Sequence, residues 1–282
     1  MTFSIVGFDP ATKEVGVAVQ SKFPCVGSVV PWAKAGVGAI ATQAWANPKY
    51  GPEGLALLES GHTADEVVAM LTAGDPGADD RQFGVIDAAG KAATFTGARC
   101  MDWCGGIVGE NFACQGNILV SEATVQAMAR AFRETPGDLA ERLTMALMAA
   151  AEAGGDSRGM QAAALYIARE NSGYLGNNDR YVDIRVDEHP DPIVELRRIL
   201  KLYRILFYKP KPENIIALEG ETSAFILGEL IHRGYYNGAA GDAWSATAQA
   251  ALLAFYSTEN FEERLCEDGK IDREVVDYLK SL

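Results

Sequence analysis

Histidine is scarce in this 282-residue chain, with only His62, His189 and His232, and basic residues are outnumbered. The formal net charge of −13 excludes the basic face that phosphate backbones require, so nucleic-acid binding is not expected. No apolar run is long enough to span a bilayer, and Met1–Val6 lacks the basic start and apolar core of a secretory signal, so a cytoplasmic protein without a membrane partner is expected. Dinucleotide (GxGxxG) and P-loop patterns are missing. Cysteine is limited to Cys25, Cys100, Cys104, Cys114 and Cys266, an odd number without CxxC spacing and without a nearby histidine. This disfavours a disulfide framework and a zinc site, and no metal or other cofactor is expected.

What is present is a globular composition, 48% hydrophobic and 22% charged. The first third reads as hairpins. Phe3–Phe8 is an apolar run closed by the turn residues Asp9-Pro10, and Val15–Val19 follows as a second strand. Val26–Trp32 and Val37–Ala41 read as another pair, turning near Lys34-Ala35-Gly36. These strands are apolar on both sides, as in a sheet covered on both faces. A helix entry follows at Gly51-Pro52. Thr63-Ala64-Asp65-Glu66 fits a capping box opening a helix to about Leu71. Gln82–Thr96 reads as a hairpin turning at Asp87–Gly90. Alanine-rich helices are expected at 121–133 and 136–153, the second capped by Thr135. Gln161–Ala168 and Arg180–Val186 read as strands. Blocks of hairpins and helices, without strict β-α-β alternation, predict an α+β fold with helical layers on a mainly antiparallel sheet.

Between Asp191 and Phe207, Ile193, Leu196, Leu200, Tyr203 and Phe207 recur three and four apart. This amphipathic helix docks on its own protein or forms the seam of a homodimer. Lys209-Pro210-Lys211-Pro212 then reads as a linker. Residues 211–282 carry six Lys/Arg against thirteen Asp/Glu. The expected division is therefore a domain at 1–209 and a small acidic helical module at 210–282.

Gly155-Asp156-Ser157-Arg158-Gly159 matches GxSxG, but a helix precedes it where a nucleophile elbow needs a strand. It reads as a glycine-rich loop from which Asp156 and Arg158 reach a binding pocket. Thr2 carries more chemistry. If Met1 is removed, Thr2 gains a free α-amine whose ordinary pKa of about 7.7–8.0 suits it as base for its own hydroxyl.

Met1–Val6, Asp9-Pro10, Gly16–Val19, Ser21-Lys22-Phe23, Val29–Ala33, Gly36-Val37-Gly38, Ala41-Thr42-Gln43, Asn47–Gly51, Phe95-Thr96-Gly97, Gln115-Gly116-Asn117, Asn178–Asp183 and Asp187–Pro192 together resemble an uncharacterised bacterial family of the N-terminal-nucleophile (Ntn) hydrolase superfamily, over roughly residues 1–205. The resemblance implies a four-layer αββα sandwich and an amidohydrolase acting on a small amide or imide, with Thr2 as nucleophile. Asn117 is the candidate oxyanion donor, with a turn asparagine as its plain alternative. Gln43, Trp45, Asn47, Asp156, Arg158, Asn178, Asp179 and Arg180 are candidate substrate-binding residues. The lysine that proteasome-like members place on an early strand is missing from Val26–Trp32. Lys34 falls in the following turn, and Lys22 has no place assigned from the sequence. Leu230–Gly238, Trp244, Ala250–Phe255, Asn260 and Asp268–Asp272 resemble a small helical domain described as peptidoglycan-binding. This implies an all-α module of three helices, with a cell-wall fragment as partner or a lid or dimerisation role instead. The competing function is a non-catalytic ligand-binding or cell-wall-associated protein on the same fold.

Overall fold

The computed structural model describes residues 2–282. Two compact units divide between Arg197 and Arg198. In the first, β1 (Thr2–Phe8) and β2 (Val15–Ser21) pair antiparallel, and every residue of both is buried. Asp9 Oδ1 closes their turn by accepting from the amides of Ala11 and Thr12. β3 (Pro31–Lys34) and β4 (Gly38–Ala44) form the next hairpin, with Gly36 at a positive φ in its turn. α1 (Tyr50–Glu59) and α2 (Ala64–Ala73) follow. The Thr63–Glu66 capping box is formed in both directions. β5 (Arg81–Asp87) and β6 (Ala92–Thr96) turn where Asp87 Oδ1 accepts from the amides of Ala89 and Lys91. The remaining elements of this region are β7 (Gly105–Gly109), β8 (Phe112–Asn117), α3 (Ala123–Glu134), α4 (Leu139–Glu152), β9 (Ala162–Ala168), β10 (Arg180–Val186) and α5 (Pro192–Phe207), whose C-terminal half passes into the second unit.

The fold is mixed α+β with antiparallel strand pairing throughout the described sheets. One sheet runs β10-β9-β2-β1-β8-β7 and the other β3-β4-β5-β6. β1 and β2 approach β4, and β8 approaches β5 and β6. Val6, Phe8, Val17 and Val19 of the first sheet pack with Ala39, Ala41 and Ile86 of the second. α4 lies against β1, β2 and β9, and α3 against β7 and β8. α1 lies against β3 and β4, and α2 against β5 and β6. β1 is thus an interior strand with a neighbour on each side and packing on both faces, which is why its sequence is nearly continuous in apolar residues.

Three local expectations are corrected. Val26–Trp32 is not one strand. Val26–Ser28 is a 3₁₀ turn entered through Cys25 at φ 56°, and pairing begins only at Pro31. The hairpin of β7 and β8 was not expected as such, because glycine occupies three of five positions in β7 and four of the twelve from Gly105 to Gly116. α4 is capped by Asp138, whose side chain accepts from the Glu141 amide, and not by Thr135, which ends α3.

The second unit contains α6 (Gly220–His232), α7 (Ala246–Thr258) and α8 (Arg273–Lys280), with a short ladder of β11 (Ile215–Ala217) and β12 (Lys270–Asp272). It is therefore not purely helical. Its core joins Leu227, Leu230, Leu252, Phe255, Val275 and Leu279, with Ile205 and Leu206 packed against them. That packing moves the division of the chain ahead of the expected 209/210 linker. Ile193, Leu196 and Leu200 of α5 are buried within this one chain. Among the described residues no helix is long and apolar enough to cross a membrane.

Candidate functional site

Thr2 heads β1 between Ser21 at the end of β2 and Asn117 at the end of β8, its register partners on either side. The Thr2 and Ser21 hydroxyls lie 2.9 Å apart and share a hydrogen bond. Thr2 is 6% exposed, and Asn117 2%. Alternation along β1 and β8 directs Ser4, Gln115 and Asn117 toward the second sheet, where Gln43, Gln82, Thr94 and Thr96 meet them.

These side chains form one continuous network. Gln115 Nε2 donates to Ser4 Oγ and Ser4 Oγ donates to Gln43 Oε1, both at 2.6 Å. Gln43 Nε2 donates to Gln82 Oε1 at 2.8 Å and to the Thr2 carbonyl at 3.2 Å. Asn117 Nδ2 also donates to Gln82 Oε1, at 2.8 Å. Gln82 Nε2 donates to Thr96 Oγ1 at 2.9 Å and to the Gly116 carbonyl at 2.7 Å. Gly84 makes room for the network: a Cβ there would stand 2.3 Å from Gln115 Oε1. Leaving a buried amide without its partner costs about 1–3 kcal/mol, so the network holds only when all its members are in place.

Every member of that network is an amide or a hydroxyl, none of which changes charge near neutral pH. Asp156 carries a carboxylate buried in the loop after α4. It accepts from the Lys22 amide at 3.2 Å and the Arg158 amide at 2.9 Å, and pairs with the Arg158 guanidinium. Because Lys22 follows Ser21, this places the Gly155–Gly159 loop beside the Thr2 end of the sheet. Lys22 Nζ donates to the Met160 carbonyl, and Lys34 pairs with Glu59.

The expected site residues separate into three places. Thr2, Asn117, Gln43, Asp156 and Arg158 gather at one end of the first sheet. Gln43 is nonetheless committed: it faces three acceptors with two N–H groups, and its carbonyl accepts from Ser4. It supports Thr2 and has no donor left for a ligand. Trp45 and Asn47 lie on the loop after β4. Trp45 is 77% exposed, while Asn47 borders a cleft of about 610 Å³ with Tyr50, Met70 and Asp75. Asn178, Asp179 and Arg180 line a separate cleft of about 510 Å³ with Lys34 and Tyr166. Arg180 pairs with Ala168, which pairs with Val15 opposite Phe8, so this group sits at the other end of β1, roughly 20 Å from Thr2. A third cleft of about 440 Å³ lies along α3 and α4. None of these three clefts includes Thr2. Removal of Met1 concerns a residue outside those described.

Ser21, Ser4, Gln82 and Gln115 were not singled out in the sequence. Their signal is a polar residue inside an apolar strand, and Gln115 with Asn117 also shows the two-residue spacing of a shared face. Burial pushes the Cys114 thiol up to about 12 and raises Cys100 and Cys104 as well, which disfavours their thiolates. Among the described residues no group of three or more His, Cys, Asp or Glu could hold a metal ion.

The crystal structure of protein SPO2555 from Silicibacter pomeroyi, a DUF1028 protein, is similar at 28% identity, covering 79% of this chain and 91% of that one with a TM-score of 0.66. No curated protein matches the chain. Residues 206–279 match the model described as "Putative peptidoglycan binding domain". Residues 2–196, the part of the chain that carries Thr2 and its network, match the model for DUF1028, and the chain belongs to this family of unknown function.

Proposed function

We propose that the first unit is an amide-cleaving enzyme of the N-terminal-nucleophile class, with Thr2 as nucleophile once Met1 has been removed. The observation that carries this is the position of Thr2: it heads an interior strand between Ser21 and Asn117, and its hydroxyl shares a hydrogen bond with that of Ser21. The α-amine of Thr2 is then the base available at the reacting atom. Two facing antiparallel sheets with helices outside each support the four-layer αββα sandwich of that superfamily.

In this mechanism Thr2 Oγ1 attacks the carbonyl carbon of a small amide or imide, and its proton passes to the α-amine. The oxyanion takes a hydrogen bond from an Asn117 N–H not used by Gln82. The C–N bond breaks as the ammonium returns its proton to the leaving nitrogen. Water, deprotonated by the same amine, then releases the acid and restores Thr2. Arg158, oriented by buried Asp156, contributes to substrate binding at this end of the sheet.

Intact-mass measurement of protein from its own cell tests the proposal. The expected chain begins at Thr2, and an amide library shows turnover that Thr2→Ala abolishes. Complete retention of Met1 in that material overturns it. The low exposure of Thr2, and clefts that lie elsewhere, favour a second reading in which the fold binds a small ligand without chemistry. Turnover in the same screen removes this alternative. For the second unit, the family match supports a proposal that it binds a cell-wall fragment. Co-sedimentation of the full chain with purified peptidoglycan is expected, and no association overturns that assignment.

A further inference from the structure

Gln82 occupies the centre of the buried network yet touches neither Thr2 nor any open cleft described above. Its orientation is forced. The Gly116 carbonyl, 2.7 Å from Nε2, can only accept, so the amino end of Gln82 must face it. Oε1 then faces the other way, toward Gln43 Nε2 and Asn117 Nδ2, each at 2.8 Å. Asn117 is nearly symmetric in shape and would fit either way round. With the Gln82 oxygen in front of it, the amino group must face Gln82, which takes one of its two N–H groups, and Asn117 is itself the register partner of Thr2. The same oxygen holds Gln43, which grips the Thr2 carbonyl.

We infer that Gln82 is a positioning residue for the Thr2 site: it sets which end of the Asn117 amide is available to a developing oxyanion, and through Gln43 it fixes the backbone of the nucleophile. This rests on the proposed nucleophilic role of Thr2. It assigns a function to a residue on the opposite sheet that does not itself contact substrate.

The test uses full-length chain whose mass shows Thr2 at the N-terminus, and a small β-lactone as the probe. The Thr2 hydroxyl opens the lactone: its C–O bond breaks, an ester to Oγ1 forms, and the hydroxyl proton ends on the released alcohol, so the adduct adds the full lactone mass. Labelling rates are compared for the wild type, Thr2→Ala, Gln82→Met, Gln82→Glu and Thr96→Val at temperatures where each is folded by circular dichroism. The expected result is labelling of wild type, none for Thr2→Ala, and a loss of about 10- to 100-fold for Gln82→Met. Gln82→Glu labels slowly when ionised, because a carboxylate then faces the Gly116 carbonyl, and recovers as falling pH protonates it, after normalising to the wild-type pH profile. If Gln82→Met fails to fold, Thr96→Val decides, since it removes one acceptor of Gln82 and leaves Asn117 untouched; a two- to fivefold loss is expected. A wild type that does not label overturns the nucleophile and this inference together. A labelled wild type with unchanged rates in the folded variants overturns the role of Gln82 alone, leaving it as packing.

Discussion

Asn117 and Glu14 show two opposite uses of burial. Among the described residues Asn117 Nδ2 donates one side-chain hydrogen bond, to Gln82, so Asn117→Ala is expected to reduce lactone labelling by about 10²- to 10³-fold while Thr2 remains N-terminal. Equal rates would remove it from the oxyanion site. Glu14 is a buried carboxylate beside Arg169, whose guanidinium donates at 2.7 Å, while its other oxygen has no hydrogen-bond partner among the described residues. Burial outweighs the attraction of Arg169 and raises the carboxyl above its ordinary range. A raised carboxylate favours folding while protonated, so its contribution is present below the unfolded pKa and is lost as pH rises through the higher folded value. Urea denaturation across that interval is expected to show wild type losing stability relative to Glu14→Gln; parallel curves would refute it. Thr2 was legible because its position in the chain is itself the signal. Gln82 and Gln115 were not, since which face a strand residue occupies depends on a register that one strand's sequence does not contain.

At the scale of elements, local chemistry was readable where the backbone partner is a few residues away. The Asp9 and Asp87 turns and the Thr63 box are of this kind. The capping of α4 was misassigned because Thr135 and Asp138 both precede it, and only the backbone decides which one faces the free amides. Asp138→Ala is expected to cost about 1 kcal/mol in denaturant unfolding and Thr135→Ala much less; the reverse order would restore the earlier assignment. A longer-range clamp holds the loop between β4 and α1. Asp75 accepts from Arg81, Tyr50 and Asn47, and Arg81 in turn donates to the Trp45 carbonyl. The hydrogen bond from Arg81 chiefly depresses the Asp75 carboxyl well below its usual range. Its stabilisation is therefore present above the unfolded pKa of about 3.9 and lost as pH falls through the depressed value. Asp75→Asn should be less stable than wild type at neutral pH, with the gap closing under strong acid. A gap independent of pH would show that charge does not hold this loop. No spacing rule joins residues 45, 47, 50, 75 and 81, so the sequence alone did not reveal the clamp.

Over the whole molecule, composition announced a second acidic unit but placed its start at the prolines, whereas packing places it within α5. One buried cation adds to the packing of Ile205 and Leu206 on the second core. Arg264 is 1% exposed, pairs with buried Asp272 and with Glu274, and donates to the carbonyls of Arg204 and Ile205 at the end of α5. A lone arginine 60 residues from that helix carries no local pattern, which is why the boundary was not legible. The two units have separate cores, one between the sheets and one around α6, α7 and α8, so calorimetry is expected to resolve two transitions. Arg264→Met strands the Asp272 carboxylate in the second core, at a cost of about 3–5 kcal/mol. Against the 5–15 kcal/mol typical of a domain this is a large fraction, and one transition should fall while the other stays in place. Adding Asp272→Asn removes the stranded charge and should recover part of the loss. A single transition that moves as a whole would mean that the units unfold as one, and an unmoved pair would mean that Arg264 is not what holds the end of α5.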